Sequence, residues 1–369
     1  MATISNVNGK KITKIKYKGE IYDTGGSGVN PLQYVIDNHK GDNQPSGENL
    51  FYEYWGSSLD DVITSCDFSK ITSAKKMFYD CKNLTSVPSL DIRNATTCEL
   101  MFYNCASLLT VNEINLQSCT SMSNMFTECG KLTNITLINT GACTTANGMF
   151  QRCSLTTIPL FDTHSIKDMG NMFGYCTSLT TIPLFDLSSC TSTRYMFQSC
   201  YSLVSLPSIN TSNVLDMSNM FYNCEKLEVI NQLDTSSATR VESMFKNCYK
   251  LKSIPPLTIN SSALTANMFQ GCYRIEKIDI TRLTSSYYFA FNCGYLKKLI
   301  IRIMEKIPTL NTECFGGCYH FNGTAGGDNP QGLKDGRIYV PDDKVEELKA
   351  ATNWSVYADI IVPLSTLVE

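Results

Sequence analysis

The sequence predicts an elongated repeat solenoid, made of about ten stacked coils of roughly 24 residues each. Three observations carry this prediction. One short motif recurs along most of the 369-residue chain, small or apolar residues keep the same period, and most of the cysteines fall in these periodic columns. Because 43% of the residues are hydrophobic and only 18% are charged, stacked coils have enough apolar surface to form a continuous core.

The repeat is defined by the motif Met-Phe-x-x-Cys. Successive copies are 24 residues apart, with one step of 23 that comes from a residue missing after Cys153. Two degenerate copies follow, Phe289-Ala290…Cys293 and Cys314-Phe315…Cys318. The nine clean copies begin at Met77, Met101, Met125, Met149, Met172, Met196, Met220, Met244 and Met268.

Further columns of small or apolar residues keep this register, three and six residues after each Cys and three and six residues before each Met. We interpret them as inward-facing, including Ile254 and Ser262 near the end of the array. Each coil is then predicted to contain a short strand after the Cys, a turn at an Asp or Asn, and a short helix leading to the next Met. A β-solenoid with little helix is the alternative, because a three-residue spacing fits both layouts.

The 17 cysteines are explained mainly by the repeat. Eleven occupy the motif, and Cys98, Cys119, Cys143 and Cys190 occupy other core columns. Free Cys behaves as a small buried hydrophobe, so we expect a ladder of reduced thiols, although disulfides between neighbouring coils are geometrically conceivable. The group Cys314, Cys318 and His320 lacks a fourth ligand at a usual spacing, so we expect no metal and no cofactor.

The unit Met-Phe-x-x-Cys-x-x-Leu-x-x-Ile-Pro resembles the repeats of BspA-like leucine-rich-repeat proteins over about residues 60–320. The segment from Gly336 to Asp359 is similar to the end of such proteins. The resemblance implies a leucine-rich-repeat-like α/β solenoid. It also implies a role in surface binding, since members are mostly bacterial or protist surface and adhesion proteins and related repeats are encoded by gut bacteriophages.

Four segments are predicted. Residues 1–30 form a hairpin and attachment segment with a Gly/Ser linker, residues 31–65 an N-terminal cap that includes a short helix at 31–37, and residues 66–320 the solenoid. Residues 321–369 form a C-terminal cap of loop, strand and helix. Caps are needed because an open coil face would aggregate.

The candidate binding residues lie on the predicted strand face, in what we interpret as one column. Exposed tyrosines provide a second set, because a tyrosine ring offers rigid contact area with a polar tip. The strand-face residues are Thr85, Thr110, Thr133, Thr157, Thr181, Ser205, Glu228, Lys252, Lys277 and Lys298. The tyrosines are Tyr79, Tyr103, Tyr201, Tyr222, Tyr249 and Tyr273.

Composition excludes several classes of function. The net charge of -3 provides no basic field for nucleic acid, and no apolar run is long enough for membrane insertion. The three histidines lie in different regions, and no hydrolase, metalloprotease or phosphate-binding motif is present, so we expect no enzyme. The first residues lack the apolar stretch of a secretory signal, and we therefore expect synthesis in a cytosol.

These features favour a structural and binding protein of a bacteriophage virion, assembled in the host cytoplasm as a tail fibre, tail tip or head decoration. Its expected partners are a protein or carbohydrate on a host cell surface, other virion proteins through the N-terminal segment, and further copies of the chain in a homo-oligomer. A bacterial cell-surface adhesin is the alternative, and a cytosolic interaction scaffold is the third hypothesis.

Overall fold

A computed structural model describes residues 3–4, 14–17, 20–23, 40–41, 44–54, 57–64, 66–158, 160–284, 286–326, 329–332 and 334–368. The Gly/Ser linker at 25–28 and the helix expected at 31–37 lie outside this part of the chain. The described residues divide into two compact units, residues 1–177 and 178–369, which are treated separately below.

The first unit begins with antiparallel strands. Strand β1 (Thr3–Ile4) pairs with β2 (Lys14–Tyr17), which pairs with β3 (Glu20–Asp23). Strands β4 (Lys40–Gly41) and β5 (Gln44–Pro45) form a second antiparallel pair. Helix α1 (Asp60–Thr64) precedes the first complete coil.

Parallel strands then stack coil upon coil. Strands β6 (Ser86–Val87) and β7 (Leu90–Asp91) both pair with β8 (Thr110–Asn115), and β8 pairs with β9 (Asn134–Ile138). Val87, Val111 and Ile135 share one register, and a single 3-10 turn (Thr140–Ala142) follows. The repeat unit is therefore a solenoid coil, and the predicted repeat solenoid is confirmed.

The second unit has the same coil architecture. Isolated parallel bridges join Ser205, Val229 and Ser253, and a four-stranded parallel sheet follows in the order β10-β11-β12-β13. These strands span Lys277–Ile280, Lys298–Ile301, Arg337–Val340 and Ile361–Pro363. Helices α2 (Tyr319–Asn322) and α3 (Val345–Ala350) lie near the C-terminal end, with 3-10 turns at Asp342–Lys344, Ser355–Tyr357 and Leu364–Thr366.

The short helix predicted in each coil is wrong, and the β-solenoid alternative describes the coils better. The motif of the second clean copy adopts left-handed backbone at Leu100 (φ 57°) and Asn104 (φ 56°), on either side of Met101. Left-handed residues terminate a helix, and they recur in the other coils. Alternate amides instead bond to the next coil, as Phe78 N does to Met101 O at 2.8 Å, while Met77 N closes a turn on Ala74 O.

The core is a set of ladders of identical residues. In the first unit the rings of Phe51, Phe78, Phe102 and Phe126 stack with centroids 4.9–5.1 Å apart. Cysteine thiols lie beside them and donate to backbone carbonyls, as Cys105 Sγ does to Phe78 O at 3.1 Å. None of the 17 cysteines, all of which lie in the described part of the chain, forms a disulfide, and every one except the half-buried Cys66 is buried.

Two residues interpreted as inward-facing are not buried. Ser262 is exposed, and Ala263 takes its place in the core. Ile254 is only half-buried. Both lie between the regularly spaced motifs that begin at Met244 and Met268, so a regular 24-residue step does not by itself determine which residue of the connecting segment faces inward.

Candidate recognition surfaces

The ten predicted strand-face residues are all exposed or half-exposed, but they lie in two adjacent columns rather than one. In the first unit, the amide of Thr133 bonds to Leu109 O and the amide of Leu109 to Thr85 O, which puts Thr85 and Thr133 in one column. Thr110 is paired with Ser86 in the neighbouring column. Thr157, farther along the same unit, is exposed.

The second unit shows the same offset. Backbone hydrogen bonds connect Thr180, Val204, Glu228 and Lys252 in sequence, which defines one column. Ser205 is bridged to Val229 beside it, and Lys277 is paired with Lys298. Thr181 immediately follows Thr180 and is exposed. The predicted residues therefore form a surface two side chains wide in each unit.

The chemistry of this surface differs between the units. In the first unit, threonine hydroxyls donate back to the preceding coil, as Thr133 Oγ1 does to Leu109 O at 3.3 Å. In the second unit, the surface is charged from Glu228 onward, and Lys252 Nζ lies 2.8 Å from Glu228 Oε2. Lys277, Lys298 and Arg337 are in register on β10, β11 and β12, which brings three cations into one column.

Two of the predicted tyrosines belong to a stacked ladder in the first unit. The rings of Tyr52, Tyr79 and Tyr103 are half-buried and nearly parallel, with centroids 5.0 Å apart. Lys76 Nζ lies 5.4 Å from the centre of the Tyr79 ring, within the range of a cation–π contact. This ladder places three half-buried aromatic rings at a regular spacing.

The other four predicted tyrosines lie in the second unit and are not all neighbours. Lys246 Nζ lies 5.8 Å from the centre of the Tyr222 ring. Tyr201 directly follows Cys200 and is exposed. Tyr249 and Tyr273, by contrast, line one groove of about 560 Å³. The remaining lining residues of this groove are Asn247, Gln270, Gly271, Asn292, Gly317 and Tyr319.

A second threonine column was not singled out from the sequence. Thr96, Thr120 and Thr144 are exposed, and each donates its hydroxyl to the carbonyl of the residue one coil earlier, at 3.0–3.2 Å. The 24-residue spacing of these threonines was visible in the sequence. It could have revealed the column, because equal spacing in a solenoid means stacking.

One exposed turn contains the three residue types of a hydrolase triad. Asp162 Oδ1 lies 2.7 Å from His164 Nδ1, and Ser165 Oγ lies 2.9 Å from His164 Nε2. Half or more of each of the Asp162 and His164 side chains is exposed to solvent. The arrangement is an Asx turn, in which Asp162 also accepts from the His164 amide, and equivalent turns recur at Asp186 and Asn210. We assign it no catalytic role.

Within the described ranges, no group of three or more His, Cys, Asp or Glu side chains is arranged to hold a metal ion. His320, which the sequence places near Cys314 and Cys318, is buried, and its Nδ1 lies 2.6 Å from Asp335 Oδ1. None of the helices that the structure describes is long and apolar enough to cross a membrane.

Several solved structures of bacterial leucine-rich-repeat proteins align with the chain at low similarity. One from Bacteroides ovatus is 15% identical, covers 81% of this chain and 86% of its own, and has a TM-score of 0.28. A leucine-rich cell surface protein from Faecalibacterium prausnitzii is 18% identical. The alignment covers 73% of this chain and 76% of that protein, with a TM-score of 0.29. A leucine-rich-repeat protein from Eubacterium ventriosum is 15% identical. The alignment covers 64% of this chain and 83% of that protein, with a TM-score of 0.30.

A search of the curated proteins found no match. A family model described as "Mycoplasma protein of unknown function, DUF285" matches in five overlapping copies, at residues 46–157, 96–206, 120–228, 144–256 and 180–282. Together these matches cover most of the solenoid, and they confirm the BspA-like leucine-rich-repeat prediction. The chain therefore belongs to the DUF285 family of BspA-like repeat proteins.

Proposed function

We propose that this protein is a non-enzymatic recognition protein, which uses the strand face of its solenoid to bind a protein or carbohydrate on a cell surface. The observation that carries the proposal is the register of the strand-face side chains. Backbone hydrogen bonds hold Thr85, Leu109 and Thr133 in one exposed column and Ser86 and Thr110 in the next. A rigid array of exposed side chains suits binding, because little side-chain freedom remains to be lost.

We further propose that the protein is carried on a bacteriophage virion, as a tail fibre, tail tip or head decoration. The cysteines support assembly in a reducing cytoplasm, since 16 of the 17 are buried and none forms a disulfide. In this proposal the antiparallel strands β1–β3 belong to the segment that attaches to other virion proteins. Higher oligomers of the chain would increase avidity for a repetitive surface.

A bacterial cell-surface adhesin is the second candidate. It is favoured by the description of the family, which names Mycoplasma, a cellular organism. The two carriers are distinguished by immunogold labelling with an antibody against this protein. Labelling of purified phage particles supports the virion, whereas labelling of intact, phage-free cells supports the adhesin.

The binding role is tested with fluorescently labelled protein on a panel of gut bacteria and cultured epithelial cells. The test variant is Thr133→Arg, on the strand face, and the matched control is Thr144→Arg. Both threonines are exposed, lie in the first unit and donate to the preceding coil, at 3.3 Å and 3.2 Å. The two substitutions therefore remove the same kind of hydrogen bond from different faces.

We expect cell binding to fall at least about tenfold for Thr133→Arg and to persist for Thr144→Arg, with equal melting temperatures. If only Thr144→Arg lost binding, the binding surface would instead be the column that contains Thr96, Thr120 and Thr144. A wild-type protein that binds none of the cells in the panel would contradict the recognition role itself.

A further inference from the structure

The groove of about 560 Å³ in the second unit has a lining that points to one class of ligand. It lies where successive coils turn at the motif cysteines, and three tyrosines and three amide side chains line it. None of the lining side chains carries a charge at neutral pH, which separates this groove from the charged strand face of the same unit. Its volume falls within the usual range of small-ligand sites.

Glycines create the groove by removing side chains from alternate coils. A Cβ atom at Gly294 would lie 2.6 Å from Tyr273 Cε2 and 3.0 Å from Tyr319 Cε2, so only glycine allows these two rings to meet. Their centroids are 6.2 Å apart, with planes at 83°. The result is an L-shaped aromatic wall, to which Tyr249, 45% exposed, adds a third ring one coil earlier.

The amides are held next to this wall. Asn247 donates its Nδ2 to Asn223 Oδ1 at 2.9 Å, and its Oδ1 would lie 2.5 Å from a Cβ atom at Gly271. Asn292 is exposed, and its Oδ1 similarly occupies the space left by Gly317. The left-handed backbone at Gly271 (φ 77°) and Gly317 (φ 72°) keeps these positions free of side chains.

Gln270 is the least satisfied of the lining residues. Its Oε1 is buried, and no donor among the described residues reaches it. An unpaired buried amide oxygen costs free energy, and rotation of the terminal amide towards the groove would let a ligand hydroxyl donate to it. Burial raises the pKa of Tyr273 above its usual value, with a smaller contribution from its hydrogen bond to Tyr319, so Tyr273 stays uncharged at physiological pH.

We propose that this groove binds an uncharged carbohydrate, with Tyr249 and Tyr273 against sugar rings and Gln270 and Asn292 bonding to hydroxyl groups. Flat aromatic surface beside amide donors and acceptors suits a molecule that has apolar ring faces and many hydroxyls. A polyanion is disfavoured because no cation lines the groove. The proposal deepens the recognition role proposed above and rests on it.

The test is a glycan array carrying neutral malto-, cello-, xylo-, manno- and chito-oligosaccharides beside acidic polygalacturonate and hyaluronan. Full-length protein is applied, and the affinity of neutral members that bind is measured by calorimetry. The variants are Tyr273→Ala and Gln270→Ala. The matched control is Tyr201→Ala, because Tyr201 also follows a motif cysteine in the second unit, is 38% exposed, and lies outside the groove.

We expect at least one neutral oligosaccharide to bind, with affinity reduced about tenfold or more by each groove variant and unchanged by Tyr201→Ala. Asn292→Gly provides a variant that cannot strain the left-handed backbone (φ 60°) and should weaken binding severalfold. The inference would be overturned if the protein bound only acidic glycans, if it bound no glycan on the array, or if all variants bound a neutral oligosaccharide with the same affinity. If Tyr273→Ala still bound cells in any of these cases, the recognition role would remain intact.

Discussion

The ring of Phe102 lies almost parallel to the ring of Phe78, with 4.9 Å between centroids and 1° between planes. Both side chains are fully buried, and the backbone amide of each residue donates to a carbonyl of the following coil. The spacing of the rings therefore equals the spacing of the coils. Side-chain stacking and backbone pairing reinforce each other along the solenoid axis, because both repeat at the separation of neighbouring parallel strands.

Removing one ring from this ladder should leave a cavity that its neighbours cannot fill. We expect Phe102→Ala to lower the free energy of unfolding by about 3–5 kcal/mol. Phe102→Leu, which keeps most of the apolar volume, should cost clearly less. Urea unfolding followed by circular dichroism measures both values. Equal losses for the two variants would show that the stacked geometry, rather than the filled volume, is what stabilises the coil.

The buried thiols should make the protein sensitive to alkali. Burial raises the pKa of Cys176 to about 12, above the value of about 8.5 expected in the unfolded chain. The folded state therefore keeps a proton that the unfolded state releases. Stability from this thiol is complete below about pH 8.5 and declines as the pH rises from there towards 12, by up to about 1.4 kcal/mol per pH unit.

This pH dependence is measured by urea unfolding at pH 7, 9 and 10 under reducing conditions. Cys176→Ala is the control, since it removes one titrating thiol and should flatten the decline above pH 9. If the dependence of stability on pH were unchanged in that variant, the thiol of Cys176 would not be held in its protonated form by the folded state.

In the native protein, a thiol reagent should modify the half-buried Cys66 much faster than the other 16 cysteines.

The ion pair between Arg302 and Asp279 should stabilise the last parallel sheet. The guanidinium donates to the carboxylate at 2.8 Å and 2.7 Å, and the Asp279 side chain is only 5% exposed. Arg302→Met leaves a buried carboxylate without its main partner, and we expect a loss of about 2–4 kcal/mol. Lys277→Met is the control, because Lys277 Nζ lies 3.7 Å from Asp279 and is half-exposed.

The Lys277 variant should change the free energy of unfolding by less than about 0.5 kcal/mol. A double variant with Asp279→Asn completes a thermodynamic cycle and isolates the coupling between Arg302 and Asp279. A coupling near zero would contradict the stabilising role of the pair.

At left-handed positions in the motif, substitution by alanine should lower the free energy of unfolding more than substitution by glycine does. Asn219 precedes Met220 with φ 58°, and its amide bonds to Glu242 O at 2.9 Å. We expect Asn219→Ala to cost about 1 kcal/mol and Asn219→Gly to cost little, because only Ala adds a Cβ clash in this conformation. Thermal unfolding of the two variants provides the comparison, and equal melting temperatures would contradict the left-handed assignment.

Much of the fold could be predicted because a constant period carries the information. The columns of Met, Phe and Cys identify the inward face without reference to any distant contact, and buried apolar side chains stabilise a coil only when coils stack. The helix in each coil was predicted incorrectly for a reason visible in Val214, Met217 and Met220. Their three-residue spacing fits a helix, but it fits equally a chain of tight turns with left-handed residues between them.

The candidate surfaces were predictable only in part. Spacing alone placed Thr85 and Thr110 in the same column, whereas hydrogen bonding places Thr110 opposite Ser86. A shift of one residue changes which side chains are neighbours, and the pairing of the strands decides it. The individual tyrosines Tyr249 and Tyr273 were identified from the sequence, but the groove that they share with Tyr319 was not.

By itself, the sequence determined the repeat, the core columns and the reduced, buried character of the cysteines, because these depend on local spacing and on apolar burial. The tertiary structure alone decided the turn conformation, the register of the two strand-face columns and the groove around Gly294. These depend on contacts between residues one or more coils apart, and the close approach of Tyr273 to Tyr319 requires a backbone position without a side chain in the coil between them.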